Sequence, residues 1–400
     1  MQPRRHTPGR ALAALTTVAV VTVTGCSGSS LDENGAASGG TITVGLIWPT
    51  SGPYAAIGKD LAAGWQLYLD AHAGKLGGHA VRTVTADEGT NQATALTSAK
   101  KLLDQDRAGV LVGTASADAS AAISTMVTER KVPFVGTGGR PSTLTDVSYM
   151  WHTSWLSREM GQAVAGHIRA KVKGPVYAIG PDYQGGWDQL GGFTDAFAEA
   201  GGALANPGGK TTWTPWPGTT NFLPYLNAIA ASDAKAVYCF YAGTAAVDFV
   251  KQYEQSGLKD RIPLYAAGFL TEGAVLAAQG PAADGVRTVL NYAPNLDNGA
   301  NRAFAPAFQQ KYQASPDIYN VTGHDATLVL DQAIAAAGPH PTSESINAAI
   351  GRLGAVDSPR GSWRFGTRHA PIQAYYLREV RVDGRARANV VVQNLTTLAN

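Results

Sequence analysis

The sequence predicts an α/β protein of two lobes, each a doubly wound parallel sheet, joined by a hinge that the chain crosses more than once. Three observations carry this. Short β-branched runs alternate with helix-period stretches of about 10–15 residues, the pattern of parallel strands covered on both faces. Eight such runs exceed one comfortable sheet for this number of helices. A late helix-rich block follows the second strand–helix set, so the chain is expected to return to the first lobe. The 400 residues agree, since domains average about 150.

The chain opens on a bipartite segment. Residues 1–10 carry Arg4, Arg5 and Arg10 and no acid. An apolar run follows from Ala11 to Val23. It is too short to span a bilayer but suits the core of a signal peptide. It ends in Val23-Thr24-Gly25-Cys26, then Ser27-Gly28. Small residues leading into a cysteine resemble a bacterial lipoprotein box, which implies a signal peptide over 1–25 and lipidation of Cys26. Losing the three arginines leaves 29 basic against 30 acidic residues, a net of −1. Residues 26–40 (CSGSSLDENGAASGG) fit a flexible tether.

The strands expected next are 41–48, 80–86, 109–113, 132–136, 175–180, 235–241, 262–267 and 286–292. Helices are expected near 55–72, 91–104, 117–130, 158–171, 187–200, 221–231 and 245–256. The late block at 301–314, 319–337 and 343–352 is helical, and the tail is read as short strands turning at Gly384. The expected first lobe is 41–154 plus about 290–355. The expected second is 155–289 plus about 356–395. No segment after the leader reaches 18 apolar residues.

Composition removes several function classes. Lys+Arg 32 against Asp+Glu 30 supplies no basic field for nucleic acid. Two cysteines exclude a disulfide scaffold and a four-cysteine zinc site. Cys239, in the apolar run AVYCFYAG, is expected to be buried and inert. No cofactor or metal is expected. Enzyme motifs are missing: there is no Gly-x-Ser-x-Gly and no His-Glu-x-x-His. Asp87-Glu88 is a poor acid pair, because neighbours on a strand point to opposite faces. His324-Asp325 fits a packed or capping pair better than a catalytic base.

In open parallel sheets ligands bind beyond the carboxyl ends of the strands. The loops that leave the strands are therefore the candidate site. The first runs from Trp48 through Tyr54 to Gly58-Lys59-Asp60, which is not a phosphate loop. The third opens a helix with Gly113-Thr114-Ala115-Ser116-Ala117, whose hydroxyls and free amides suit either a cap or an anion. The fourth contains Gly138-Gly139-Arg140, where glycines allow close approach and the arginine suits a carboxylate. Tyr183, Tyr241 and Phe269 follow later strands beside glycines, as pocket-lining aromatics do.

Four stretches then resemble one family: VGLIWPTSGPYAAIG, VKQYEQSGLKDRIPLYAAGFLT, YNVTGHDATLVLDQAI, and SPRGSWRF followed by YYLREV. Over about 41–395 the chain is similar to the solute-binding proteins of branched-chain-amino-acid-type ABC transporters. The resemblance implies the type I periplasmic-binding fold, a monomer that closes on a small ligand and hands it to permease and ATPase subunits, and a place on the outer face of the cytoplasmic membrane. It implies that Ser116, Ala117, Gly138, Gly139 and Arg140 hold a ligand carboxylate. Trp48, Tyr54, Tyr183, Tyr241 and Phe269 would shape the rest. Amino-acid binders of the family carry an acid on the loop after the seventh strand. Here that loop is Gly268-Phe269-Leu270-Thr271, with Glu272 late. Burying an ammonium without a carboxylate is costly. An aromatic acid is therefore favoured over a branched-chain or other amino acid. A sensing module for a receptor is the remaining alternative, since one fold serves both.

Overall fold

The computed structural model describes residues 40–384 and 386–398. The expected leader, tether and Cys26 lie outside the described residues. The first eight strands are β1 (Ile42–Trp48), β2 (Lys75–Leu76), β3 (His79–Asp87), β4 (Val110–Gly113), β5 (Phe134–Gly136), β6 (Gly139–Arg140), β7 (Met150–His152) and β8 (Trp155–Leu156). Six of them form one sheet in the order β2-β3-β1-β4-β5-β7, and β6 pairs with β8. All neighbours in the six-stranded sheet are parallel except β2 and β3, which form a hairpin. The central strands are apolar on both faces, as burial on both sides requires.

The second sheet uses β9 (Val176–Pro181), β10 (Thr212–Thr214), β11 (Ala236–Cys239), β12 (Leu264–Ala267), β13 (Arg287–Leu290), β14 (Arg364–Phe365), β15 (Pro371–Asp383) and β16 (Ala386–Leu398). Its order is β10-β9-β11-β12-β13-β15-β14, with β16 paired to β15. It is parallel through β13, then antiparallel.

Eleven helices are described. α1 (Ala55–Ala71), α2 (Gln92–Asp104) and α3 (Ala117–Glu129) serve the first sheet. α4 (Glu159–Lys171), α5 (Gln184–Glu199), α6 (Leu223–Ala231), α7 (Gly243–Gln255) and the short α8 (Ala274–Gln279) serve the second. α9 (Gly299–Tyr312), α10 (Ile318–Ala337) and α11 (Ser343–Ile350) follow β13. α10 packs along α1 and α11 along α10, while α9 reaches α1 through Tyr312 Oη, which donates to the Ala63 carbonyl. The chain thus passes between the sheets three times: after β8, after β13 and after α11. The fold is the α/β arrangement that the alternation predicts, with two parallel-based sheets.

The tail departs from expectation. It is one long hairpin of two 13-residue strands with register shifts at Tyr375/Tyr376 and Leu377/Arg378. Upstream of it, the buried Asp325 carboxylate accepts from Ser358 Oγ at 2.8 Å and Trp363 Nε1 at 3.2 Å and pairs with Arg360 at 3.3 Å. His324-Asp325 is therefore a packing anchor for the 358–363 segment.

Candidate functional site

A cavity of about 30 Å³ lies between the two sheets. One wall comes from the first sheet's loops: Tyr54 and Ile57, Ala115 and Ala117 at the start of α3, and Gly139. The other comes from Tyr183, Gly185 and Gln189, from Phe240 and Ala242 after β11, and from Phe269 after β12. Trp155, Ser157 and Tyr319 complete it. The wall is aromatic. Phe269 lies 4.8 Å from Trp155, 5.9 Å from Phe240 in an edge-on contact and 6.0 Å from Tyr319, centroid to centroid. Such spacings suit aromatic pairs.

The lobes touch at the wall of this cavity. Tyr54 Oη and Tyr183 Oη share a hydrogen bond of 2.9 Å. Trp216 stacks on Tyr183 at 4.7 Å and tilts against Tyr54 at 5.1 Å. Burial holds both tyrosine hydroxyls well above their ordinary pKa, so they stay protonated. Gly243, at φ +60°, lets α7 come so close to Pro53 that a Cβ would stand 2.3 Å from the Pro53 carbonyl oxygen. Asp188 on α5 accepts from the Ser142 amide at 2.8 Å.

The α3 end holds a carboxylate, but it is the chain's own. Glu88 is fully buried and accepts from the Ala115 and Ser116 amides, each at 2.7 Å. Burial pushes its carboxyl up to about 8 despite those bonds. Ser116 also caps α3, its hydroxyl accepting from the Asp118 amide at 3.2 Å. It lines a smaller neighbouring pocket with Glu88, Tyr54 and Trp216.

Of the residues expected at the site, the structure brings Tyr54, Ala117, Gly139, Tyr183 and Phe269 together around the cavity. Five lie elsewhere. Trp48 is core: its indole donates to Thr137 Oγ1 at 3.2 Å and meets Trp65 edge-on. Ser116 faces the neighbouring pocket, and Gly138 packs against the Thr114 and Ala115 carbonyls, where a Cβ would stand at 2.4 Å. Arg140 is buried and spends its guanidinium on the Arg368 carbonyl, so it does not face the cavity. Burial and Arg368 nearby lower its pKa to about 10. Tyr241 belongs to the second lobe's own core, against Phe222 and Phe249, with its hydroxyl 3.3 Å from Thr214 Oγ1. Its neighbour Phe240 faces the cavity instead, because side chains alternate along an extended chain. Sequence reasoning missed Ile57, Trp155, Ser157, Gln189, Phe240 and Tyr319. Of these only Phe240 carried a usable signal, as the other aromatic at a strand end.

Glu272 does not line this cavity. Its carboxylate pairs with the buried Arg378 at 2.8 Å and accepts from the Ile318 amide at 2.9 Å. It faces a separate groove of about 960 Å³ beside Asp60 and Asp317. Among the described residues no group of three His, Cys, Asp or Glu is placed to hold a metal, and no helix is long and apolar enough to cross a membrane. Cys239 is buried and unpaired, its thiol pushed up by burial.

Residues 41–386 match the periplasmic binding protein family along almost the whole described chain. The chain belongs to this family. This periplasmic binding protein is 30% identical over 353 residues to Leu/Ile/Val-binding protein homolog 6 of Brucella melitensis, covering 86% of this chain and 89% of the relative. Among solved structures it is similar to an ABC-transporter solute-binding protein from R. palustris in complex with benzoate, at 31% identity and a TM-score of 0.81, covering 90% of this chain and 98% of that one. A second R. palustris solute-binding protein, in complex with 4-hydroxybenzoate, is 26% identical with a TM-score of 0.82, covering 89% and 97%. A leucine-binding protein from Thermotoga maritima shares the fold at 21% identity and a TM-score of 0.77, covering 87% and 99%.

Proposed function

We propose that this periplasmic binding protein is the lipid-anchored solute receptor of an ABC importer, and that it closes on one aromatic carboxylate. The observation that carries the ligand class is the pair Phe269 and Glu272. An aromatic ring occupies the loop where an amino acid's ammonium would need an acid, and the acid that follows this loop, Glu272, is engaged by Arg378. The similarity to benzoate-binding and 4-hydroxybenzoate-binding proteins supports the same class. With the Ala115 and Ser116 amides engaged by Glu88, the ligand carboxylate is assigned to the Ala117, Gly139 and Ser157 side of the cavity. The residues lining the cavity include no His, Cys, Asp or Glu, which favours binding over catalysis. The protein acts as a monomer that delivers its ligand to a permease, without cofactor.

Thermal unfolding against benzoates, leucine, valine, short amides and nucleosides tests this. A ligand at 100 times its Kd adds about 2.7 kcal/mol and raises Tm visibly. Shifts with aromatic acids are expected. A shift with leucine or valine alone would overturn the ligand class. For the anchor, Cys26→Ser is expected to move the protein from the membrane fraction to the soluble fraction, and continued retention would refute lipidation.

A further inference from the structure

We propose that Gln189 recognises a hydroxyl group on the ligand's ring, so that the preferred ligand is a ring-hydroxylated aromatic acid and not the unsubstituted one. This rests on the aromatic-acid reading above.

Gln189 projects from α5 into the wall of the cavity and is 2% exposed. Its two amide ends are unequal. Nε2 donates to Met160 Sδ at 3.2 Å. A thioether sulfur only accepts, so this contact fixes which end of the amide faces it. Met160 lies outside the cavity lining, which Gln189 joins, and the other end of the amide is its carbonyl oxygen. That oxygen, Oε1, has no hydrogen-bond partner. Buried polar atoms are nearly always paired, and an orphan acceptor carries a full desolvation penalty.

The surrounding wall does not satisfy it. Trp155, Phe240 and Phe269 present rings, Ile57 is aliphatic, and the Ser157 and Tyr319 hydroxyls make no hydrogen bond to it. The Tyr54 and Tyr183 hydroxyls are engaged with each other. A ligand group that donates one hydrogen bond from an otherwise apolar ring would pair Oε1. A hydroxyl on the ring does so, whereas a bare ring leaves the acceptor unpaired. Sites built around such an acceptor discriminate strongly against the analogue that lacks the donor.

Calorimetric titration of the purified protein with benzoate, 3-hydroxybenzoate, 4-hydroxybenzoate and 4-methoxybenzoate tests this. At least one hydroxybenzoate is expected to bind about tenfold more tightly than benzoate. The methoxy acid, which cannot donate, gains nothing. In Gln189→Met, which keeps length and removes the acceptor, the hydroxybenzoate-to-benzoate affinity ratio falls to about one. Equal or tighter binding of benzoate by the unaltered protein overturns the proposal and leaves the aromatic-acid reading standing. A hydroxyl preference that survives Gln189→Met overturns the role of Gln189. Binding of none of the four acids overturns the aromatic-acid reading, and this proposal with it. The unaltered protein alone decides between the first outcomes if Gln189→Met does not fold.

Discussion

Glu88 shows what a single buried residue does here. Its carboxyl group fills the amide pair at the head of α3, its two oxygens accepting from those N–H groups. Burial raises its folded pKa from 4.5 to about 8. A carboxyl raised on folding stabilises the protein below its unfolded pKa. That stability is lost as pH climbs through the folded value. Stability is therefore expected to fall between about pH 4.5 and pH 8. Glu88→Gln removes this slope in chemical-denaturation curves measured across that range. At low pH it also costs about 1–3 kcal/mol, because the amide nitrogen faces a backbone N–H that it cannot pair. The sequence showed half of this. Alternation sends Asp87 and Glu88 to opposite sides, and Asp87 accepts from the Thr50 amide at 2.8 Å while Glu88 turns to α3. The partner of Glu88, 27 positions away, was not legible. It depends on how β3 and β4 flank β1, which local pattern does not encode.

At the scale of elements, the segment between β10 and α6 contributes most that was unforeseen. It supplies Trp216, which bridges Tyr54 and Tyr183 from the two lobes. Its sequence, TPWPGTT, lacks periodicity, so only its turn character was readable. Trp216→Ala removes both ring contacts. Ligand affinity is expected to fall roughly tenfold, with the loss mainly in the dissociation rate, as stopped-flow measurements would show. An unchanged rate would remove Trp216 from the closing surface. Helices were more legible, because caps and apolar periods are local. Asn298 caps α9 by accepting from the Asn301 amide at 2.9 Å, and Asn298→Ala is expected to cost about 1 kcal/mol in unfolding free energy. The parity of strand ends was not legible. The exchange of Tyr241 for Phe240 at the cavity turns on a one-residue choice at the end of β11.

At the scale of the molecule, three acids meet where the lobes join. Asp60 on α1 and Asp317 at the head of α10 face Glu272 from the second sheet's side. Burial, with the Glu272 charge beside them, raises both aspartates, Asp60 to about 6 although Asp317 hydrogen-bonds it. The raised pKa means that this junction is stabilised below about pH 4 and weakened as pH rises past 6. Asp60→Asn is expected to raise Tm at pH 8 by a few degrees and to leave it nearly unchanged at pH 4.5. Two sheets were predictable from the count of strand–helix units. Where the chain crosses between them follows from packing, such as α10 against α1, and the sequence offered only the late helical block as a clue.

The triple passage between the sheets sets how the protein can be taken apart. Neither sheet with its helices is a continuous stretch of chain. A protease that nicks any one connector leaves two others in place, so the halves stay tied together. For the same reason, no single cut of the gene yields one intact half, and a domain-exchange chimera with a relative needs three matched junctions. The clamp is inherited whole.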